Sequence, residues 1–283
     1  MSVNATLEAV ARRDRLVVVT ALTTVIALSW MYLLAGAGMG MSAFEMTHMS
    51  QLGVAEAMPA RGMADMAMMT PAVWTLGYAV LMFFMWWVMM VAMMLPSATP
   101  MILLHAMVNR KVKLRDGEEY GPWSTASFTL GYVLAWAAFS AVAIPLQWVL
   151  EITGMLSPMM MNSINTIFTG LLLLFAGMYQ LIPIKQACLK HCRHPIEFLS
   201  CHWRPGSKGA LIMGAHHGVY CLGCCWGLMF ILFFVGVMNL YWIVGLALIV
   251  LIEKLTPFGR QLSWITGALL FAWGASFLYR VIA

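Results

Sequence analysis

Cysteine, histidine and methionine, the side chains that hold soft metal ions, recur in this chain at helical spacing. The sharpest instance is His216-His217-Gly-Val-Tyr-Cys221-Leu-Gly-Cys224-Cys225-Trp226, with His217, Cys221 and Cys224 at i, i+4 and i+7. On an α-helix these three directions fall within about 60° of one another. An imidazole and two thiols then share a face, with Cys225 beside them. If the helix starts near Lys208, Cys221 lies roughly 20 Å along it, near the middle of a bilayer. Ionisable groups at that depth are costly and are functional candidates by default. A cysteine alone is a small hydrophobe, and the histidine on its face is what favours a ligand set.

A second cluster reads Cys188-Leu-Lys-His191-Cys192-Arg-His194, followed by Cys201-His202. Cys188 and Cys192 stand one turn apart if the preceding helix runs on past Pro183. Reduced thiols on the cytoplasmic side are free to bind metal. The plainer reading is a basic loop that binds lipid head groups. Glu253, beside Lys254, is a secondary candidate that would pair with that lysine's neighbours, neutralise a bound cation, or only end the helix.

Methionine is the third donor, with 27 in the chain. Most of these serve as adaptable apolar filler, but filler does not explain their concentration in a polar-leaning segment. Residues 36–71 contain Met39, Met41, Met46, His48 and Met49, then Met58, Met63, Met66, Met68 and Met69. Thioethers are neutral soft ligands that hold Cu(I) where thiols would be oxidised. The competing reading is an amphipathic segment on a membrane surface. Farther on, Met82, Met85, Met89 and Met93 line one helical face with Met90 and Met94 beside them. Such a stripe is usually packing, although it would also descend from the methionine-rich segment as a relay.

The elements that must position these residues are membrane helices. The chain of 283 residues is 62% hydrophobic and 10% charged, too few charges to cover a soluble surface. Spanning segments need about 20 apolar residues each, and seven blocks come near this: 16–35, 73–95, 124–149, 163–182, 210–235, 239–254 and 261–281. The expected fold is an all-α, polytopic transmembrane helix bundle of about seven spans, one domain over 1–283, with its first helix retained. Residues 36–71 form an outer loop and 183–209 an inner one. Pro96 and Pro100 are expected to break the second helix and leave a short re-entrant piece. With the N-terminus inside, only Arg61 and Arg280 of the 16 basic residues remain outside. The net charge of +5 therefore reflects topology, and nucleic acid is not an expected partner.

Several of these stretches together resemble the bacterial family of predicted metal-binding integral membrane proteins, a domain of unknown function. They are Met89 to Met101 around Met93-Met94-Leu95-Pro96-Ser97, Lys185 to Arg193, His217 to Trp226, Gly236-Val-Met238-Asn239 and Leu251-Ile-Glu253-Lys254. The likeness covers roughly residues 75–258. It implies a metal-binding protein of the bacterial cytoplasmic membrane, while the methionine-rich loop, His194 and Cys201-His202 lie outside its pattern.

The reading favoured by the residues is a protein that binds and handles Cu(I), with zinc or another soft metal as the alternative cargo. Uptake, storage and delivery remain open, and the expected partners are membrane lipid and a periplasmic metallochaperone or a copper-dependent membrane enzyme. A different class is a membrane thiol oxidoreductase using Cys221/Cys224 and Cys188/Cys192. A third is a structural subunit whose cysteines and methionines only pack. No phosphate-binding loop, Ser-His-Asp order or paired-carboxylate site is present, so enzymatic or ATP-driven action is not the expectation.

Overall fold

The computed structural model describes residues 3–48, 74–116, 122–157, 163 and 165–282. The described residues are helical throughout, apart from turns and one isolated bridge between Leu156 and Ser163. Among the described residues nine helices of eight residues or more carry the architecture, with a four-residue helix at Leu232–Val235: α1 (Val3–Leu34), α2 (Leu76–Asp116), α3 (Pro122–Ile152), α4 (Thr166–Leu181), α5 (Pro183–Arg193), α6 (Pro195–His202), α7 (Gly206–Met229), α8 (Leu240–Leu255) and α9 (Gly259–Ile282).

Five helical stretches are long and apolar enough to cross a membrane: Arg15–Leu34, Leu76–Val112, Trp123–Ile152, Gly206–Val235 and Gly259–Ile282. A sixth is reached only if α4 and α5, bent by 60° at their junction, count as one broken span. The sixth expected block, 239–254, forms α8, whose 16 residues extend about 24 Å at 1.5 Å each, short of a bilayer core of about 30 Å.

Glycines set the closest helix approaches. A Cβ on Gly214 of α7 would lie 1.9 Å from the Phe128 carbonyl oxygen of α3, so these backbones touch. Phe128 faces Gly214 and Ala135 faces Gly218, which makes α3 and α7 parallel. The chain between them must therefore double back, and α4 with α5 is that return. On the other flank, a Cβ on Gly177 of α4 would come within 2.6 Å of the Phe271 amide nitrogen of α9.

Three expectations change. First, α2 does not break at its prolines but runs as one helix of 41 residues through Pro96 and Pro100. Hydroxyls satisfy carbonyls around them: Ser97 donates to the Met94 carbonyl at 2.8 Å, Thr99 to Leu95 at 3.0 Å, and Tyr132 of α3 to Met94 at 3.1 Å. Second, 183–209 is mostly helix, and α5 lies against α7 instead of looping into solvent. Third, Lys185 and Lys254, counted above as inner-side charges, are both buried.

At the far end, residues 43–48 form a short helix entered through a capping box. Ser42 amide and hydroxyl donate to Glu45 at 2.7 and 2.8 Å, and the Glu45 amide returns a bond to the Ser42 hydroxyl at 3.3 Å. These donors hold the Glu45 carboxyl below its usual range. Thr47 ties this turn to the start of α8, accepting from the Leu240 amide at 2.9 Å.

Candidate functional site

Cys221, Cys224 and Cys225 face inward from the middle of α7 and are fully buried. Their spacing sends Cys224 and Cys225 back over their own helix, where both thiols donate to the Cys221 carbonyl at 3.0 and 2.9 Å. Helix α5, packed along α7, brings a fourth thiol, Cys192, to the side of Cys224. One turn earlier Cys188 sits over Gly223, where an added Cβ would be 2.8 Å from its sulfur. From α2, the Met94 thioether lies 3.9 Å from the Cys225 sulfur. All six cysteines are free thiols.

Two residues not singled out from the sequence complete the cluster. The Lys254 ammonium of α8 donates to the Cys221 sulfur at 2.8 Å and to the Ser97 hydroxyl at 3.1 Å. The Tyr132 hydroxyl of α3 lies 3.0 Å from the same sulfur. A buried ammonium is expensive unless paired, and here its partners are a sulfur and a hydroxyl. The sequence signal was a lysine closing an apolar run in the last turn of its helix.

His217 occupies a different environment. Its ring lies between Tyr132 at 5.7 Å and Phe128 at 6.3 Å, with the Phe198 edge at 5.4 Å. Its Nδ1 is buried without a hydrogen-bond partner, and Tyr132, which stacks on its ring, also lies against the Cys221 sulfur. The i, i+4 spacing placed His217 on the right side of α7, but the aromatic side chains of α3 and α6 take up its ring. His191 likewise stacks on Tyr220 at 4.2 Å, with Nδ1 on the Ala187 carbonyl at 2.9 Å. Glu253 pairs with Lys185 at 2.8 Å and lies 3.4 Å from the Gln180 amide. Gln180 also accepts from Lys185.

Met89 and Met93 are buried in α2 beside Met94. Met46 and His48 lie in the capped turn at 43–48, half-buried and exposed respectively, and Met49 falls outside the described residues. Among the described residues, no three His, Cys, Asp or Glu side chains converge tightly enough to hold a metal ion by themselves. The donor set that does converge is thiol-rich and completed by thioether. Two thiols or a thiol and thioether suit Cu(I), a soft ion content with few ligands, better than zinc, which takes four.

Comparison with known proteins agrees with that chemistry. A family model, PpoB2, described as a copper chaperone, matches residues 83–277, which include all of the thiols, Met89 to Met94 and Glu253. No curated protein and no solved structure matches the chain.

Proposed function

The chain belongs to the copper chaperone family, and from that membership we propose that it is a multi-pass membrane protein that carries Cu(I) on its buried thiols. The observation that carries this reading is the packing of α5 on α7, which sets Cys188 over Gly223 and turns Cys192 toward the buried Cys221, Cys224 and Cys225, with the Met94 sulfur 3.9 Å from that of Cys225. Soft sulfur donors drawn from three helices, four of them fully buried, favour a soft, weakly hydrated cation. An ion there moves between neighbouring sulfurs by exchanging one ligand at a time and need never be fully hydrated.

The rest of the reading follows from that core. The N-terminus lies inside, in a bacterial cytoplasmic membrane, and α4–α5 and α8 complete seven passes. The methionine-rich segment, with Met46, His48 and Met49, collects Cu(I) on the outer face from a periplasmic metallochaperone. Met89 and Met93 pave the way down α2 to the cluster. Cys188, His191 and Cys192 lead away from it, His217 backs it through Tyr132, and Glu253 holds α5 in place through Lys185. The recipient is a copper-dependent membrane enzyme.

The test is Cu(I) affinity by competition with bicinchoninate, anaerobically, on purified protein and on the Cys221→Ser/Cys224→Ser/Cys225→Ser variant. The triple variant should bind at least 100-fold more weakly, and undiminished affinity would overturn the reading. The Cys192–Cys224 contact also fits a dithiol relay. Thiol trapping that finds this pair oxidised in cells would turn the assignment to an oxidoreductase.

A further inference from the structure

Away from the thiols, imidazoles gather where α5, α6 and α7 meet. His191, His194, Cys201 and His202 line one surface pocket with Lys190, Glu197 and Phe198. His216, exposed on α7, adjoins it: its ring centroid is 5.2 Å from that of His202 and 5.3 Å from that of Tyr220. The copper reading above makes no use of His202 or His216.

The rings are prepared as ligands. His202 Nδ1 lies 3.1 Å from the Phe198 carbonyl oxygen. A carbonyl only accepts, so Nδ1 carries the proton and Nε2 keeps its lone pair. Metal-binding histidines are commonly fixed in this way, by the other nitrogen donating to a backbone carbonyl. The Phe198 ring, 4.8 Å away and nearly parallel at 18°, holds the plane of the imidazole. His191 is fixed by the same device on Ala187 at 2.9 Å.

We propose that His202 and His216 form a two-imidazole Cu(I) site on this surface, through which the ion is exchanged with the interior thiols. The proposal rests on the Cu(I)-carrier reading and adds to it a docking point for the ion on the α5–α6–α7 face. With metal–nitrogen bonds of about 2 Å, a linear bridge sets the centroids about 6 Å apart. The observed 5.2 Å therefore needs to open by only about 1 Å, a small swing for rings at least partly exposed. Zinc requires four ligands, whereas among the described residues no three converge, so the geometry selects the ion that accepts two. The site also adjoins the interior route. Phe198 touches both His202 and the buried His217, at 4.8 and 5.4 Å, and His216 and His217 are neighbours on α7.

Full-length protein in detergent micelles, reduced and anaerobic, is loaded with Cu(I) against bicinchoninate and its metal counted by elemental analysis. The His202→Ala/His216→Ala variant should hold one Cu(I) fewer than wild type, while Cys221→Ser/Cys224→Ser retains that ion and loses another. In parallel, diethyl pyrocarbonate modifies His202 and His216 of the wild-type protein, read by peptide mass. Cu(I) should slow this at least tenfold, and Zn(II) should not. Equal Cu(I) counts in wild type and the imidazole variant, absence of protection, or equal protection by Zn(II) each overturn the proposal. Protection needs no variant to fold. If the cysteine variant loses nothing while the imidazole variant does, the thiol reading falls and this site stands.

Discussion

Glu253→Ala tests whether α5 is held in place electrostatically. Glu253 and Lys185 meet at 2.8 Å with side-chain exposures of 1% and 0%, so neither charge has water to fall back on. Breaking a buried pair by removing one partner costs about 3–5 kcal/mol, because the other charge is left uncompensated. Gln180 still accepts from Lys185 in the variant, which places the loss near the lower bound, about 3 kcal/mol. The companion Lys185→Met/Glu253→Leu removes both charges and fills similar volume, and should recover to within about 1 kcal/mol of wild type. Stability is read by denaturant titration in mixed micelles, with helicity as the signal. Cu(I) affinity is read on the same samples, because Cys192 lies two turns along α5 from Lys185. Affinity should fall in Glu253→Ala and return in the double variant. A single variant as stable as wild type would refute the reasoning, as would a double variant no better than the single.

Met94→Leu conserves volume and should change stability by less than about 1.5 kcal/mol, yet weaken Cu(I) binding about tenfold, equivalent to about 1.4 kcal/mol. Unchanged affinity in the bicinchoninate assay removes Met94 from the donor set. Gly214→Ala places a methyl 1.9 Å from the Phe128 carbonyl oxygen and should destabilise by about 1–3 kcal/mol. Gly245→Ala, where a Cβ meets nothing within 4 Å, should be neutral or slightly stabilising, and equal losses at both sites would contradict the α3–α7 contact. Cys201 is exposed, so a membrane-impermeant maleimide should label it in right-side-out vesicles only after permeabilisation. Labelling of intact vesicles reverses the orientation proposed here.

Local spacing was enough to place Cys221, Cys224 and Cys225 together on α7, because helical period alone decides that. It could not deliver Cys192 to Cys224, which depends on the 60° bend between α4 and α5 and on α5 lying along α7. The same limit misplaced Lys185 and Lys254. Both follow apolar runs near helix ends and read as surface charges until Glu253 and Cys221 are seen to meet them. The rule that proline breaks a helix is also local, and at Pro96 and Pro100 the helix runs on with Met94 and Leu95 to Ala98 almost all buried against neighbouring helices. His217 lay on the expected side of its helix, but aromatic neighbours from other segments decided where its ring went.

The resting cluster bears on whether it carries the ion or stores it. Cys224 and Cys225 donate to the Cys221 carbonyl, and the Cys221 sulfur accepts from Lys254. These three metal-free thiols are thus already satisfied by protein groups, so departure of an ion strands none of them and release is not penalised on their account. Structural zinc domains differ, since their ligands have no such alternative and the fold collapses without metal. Removing Cu(I) with a chelator should therefore leave helicity and the unfolding midpoint close to those of protein never exposed to metal. Loading should raise stability only by the mass-action amount set by ligand concentration over dissociation constant. A cooperative loss of helicity on chelation would mean that the ion is part of the scaffold, and a protein built that way would be unsuited to giving its cargo up.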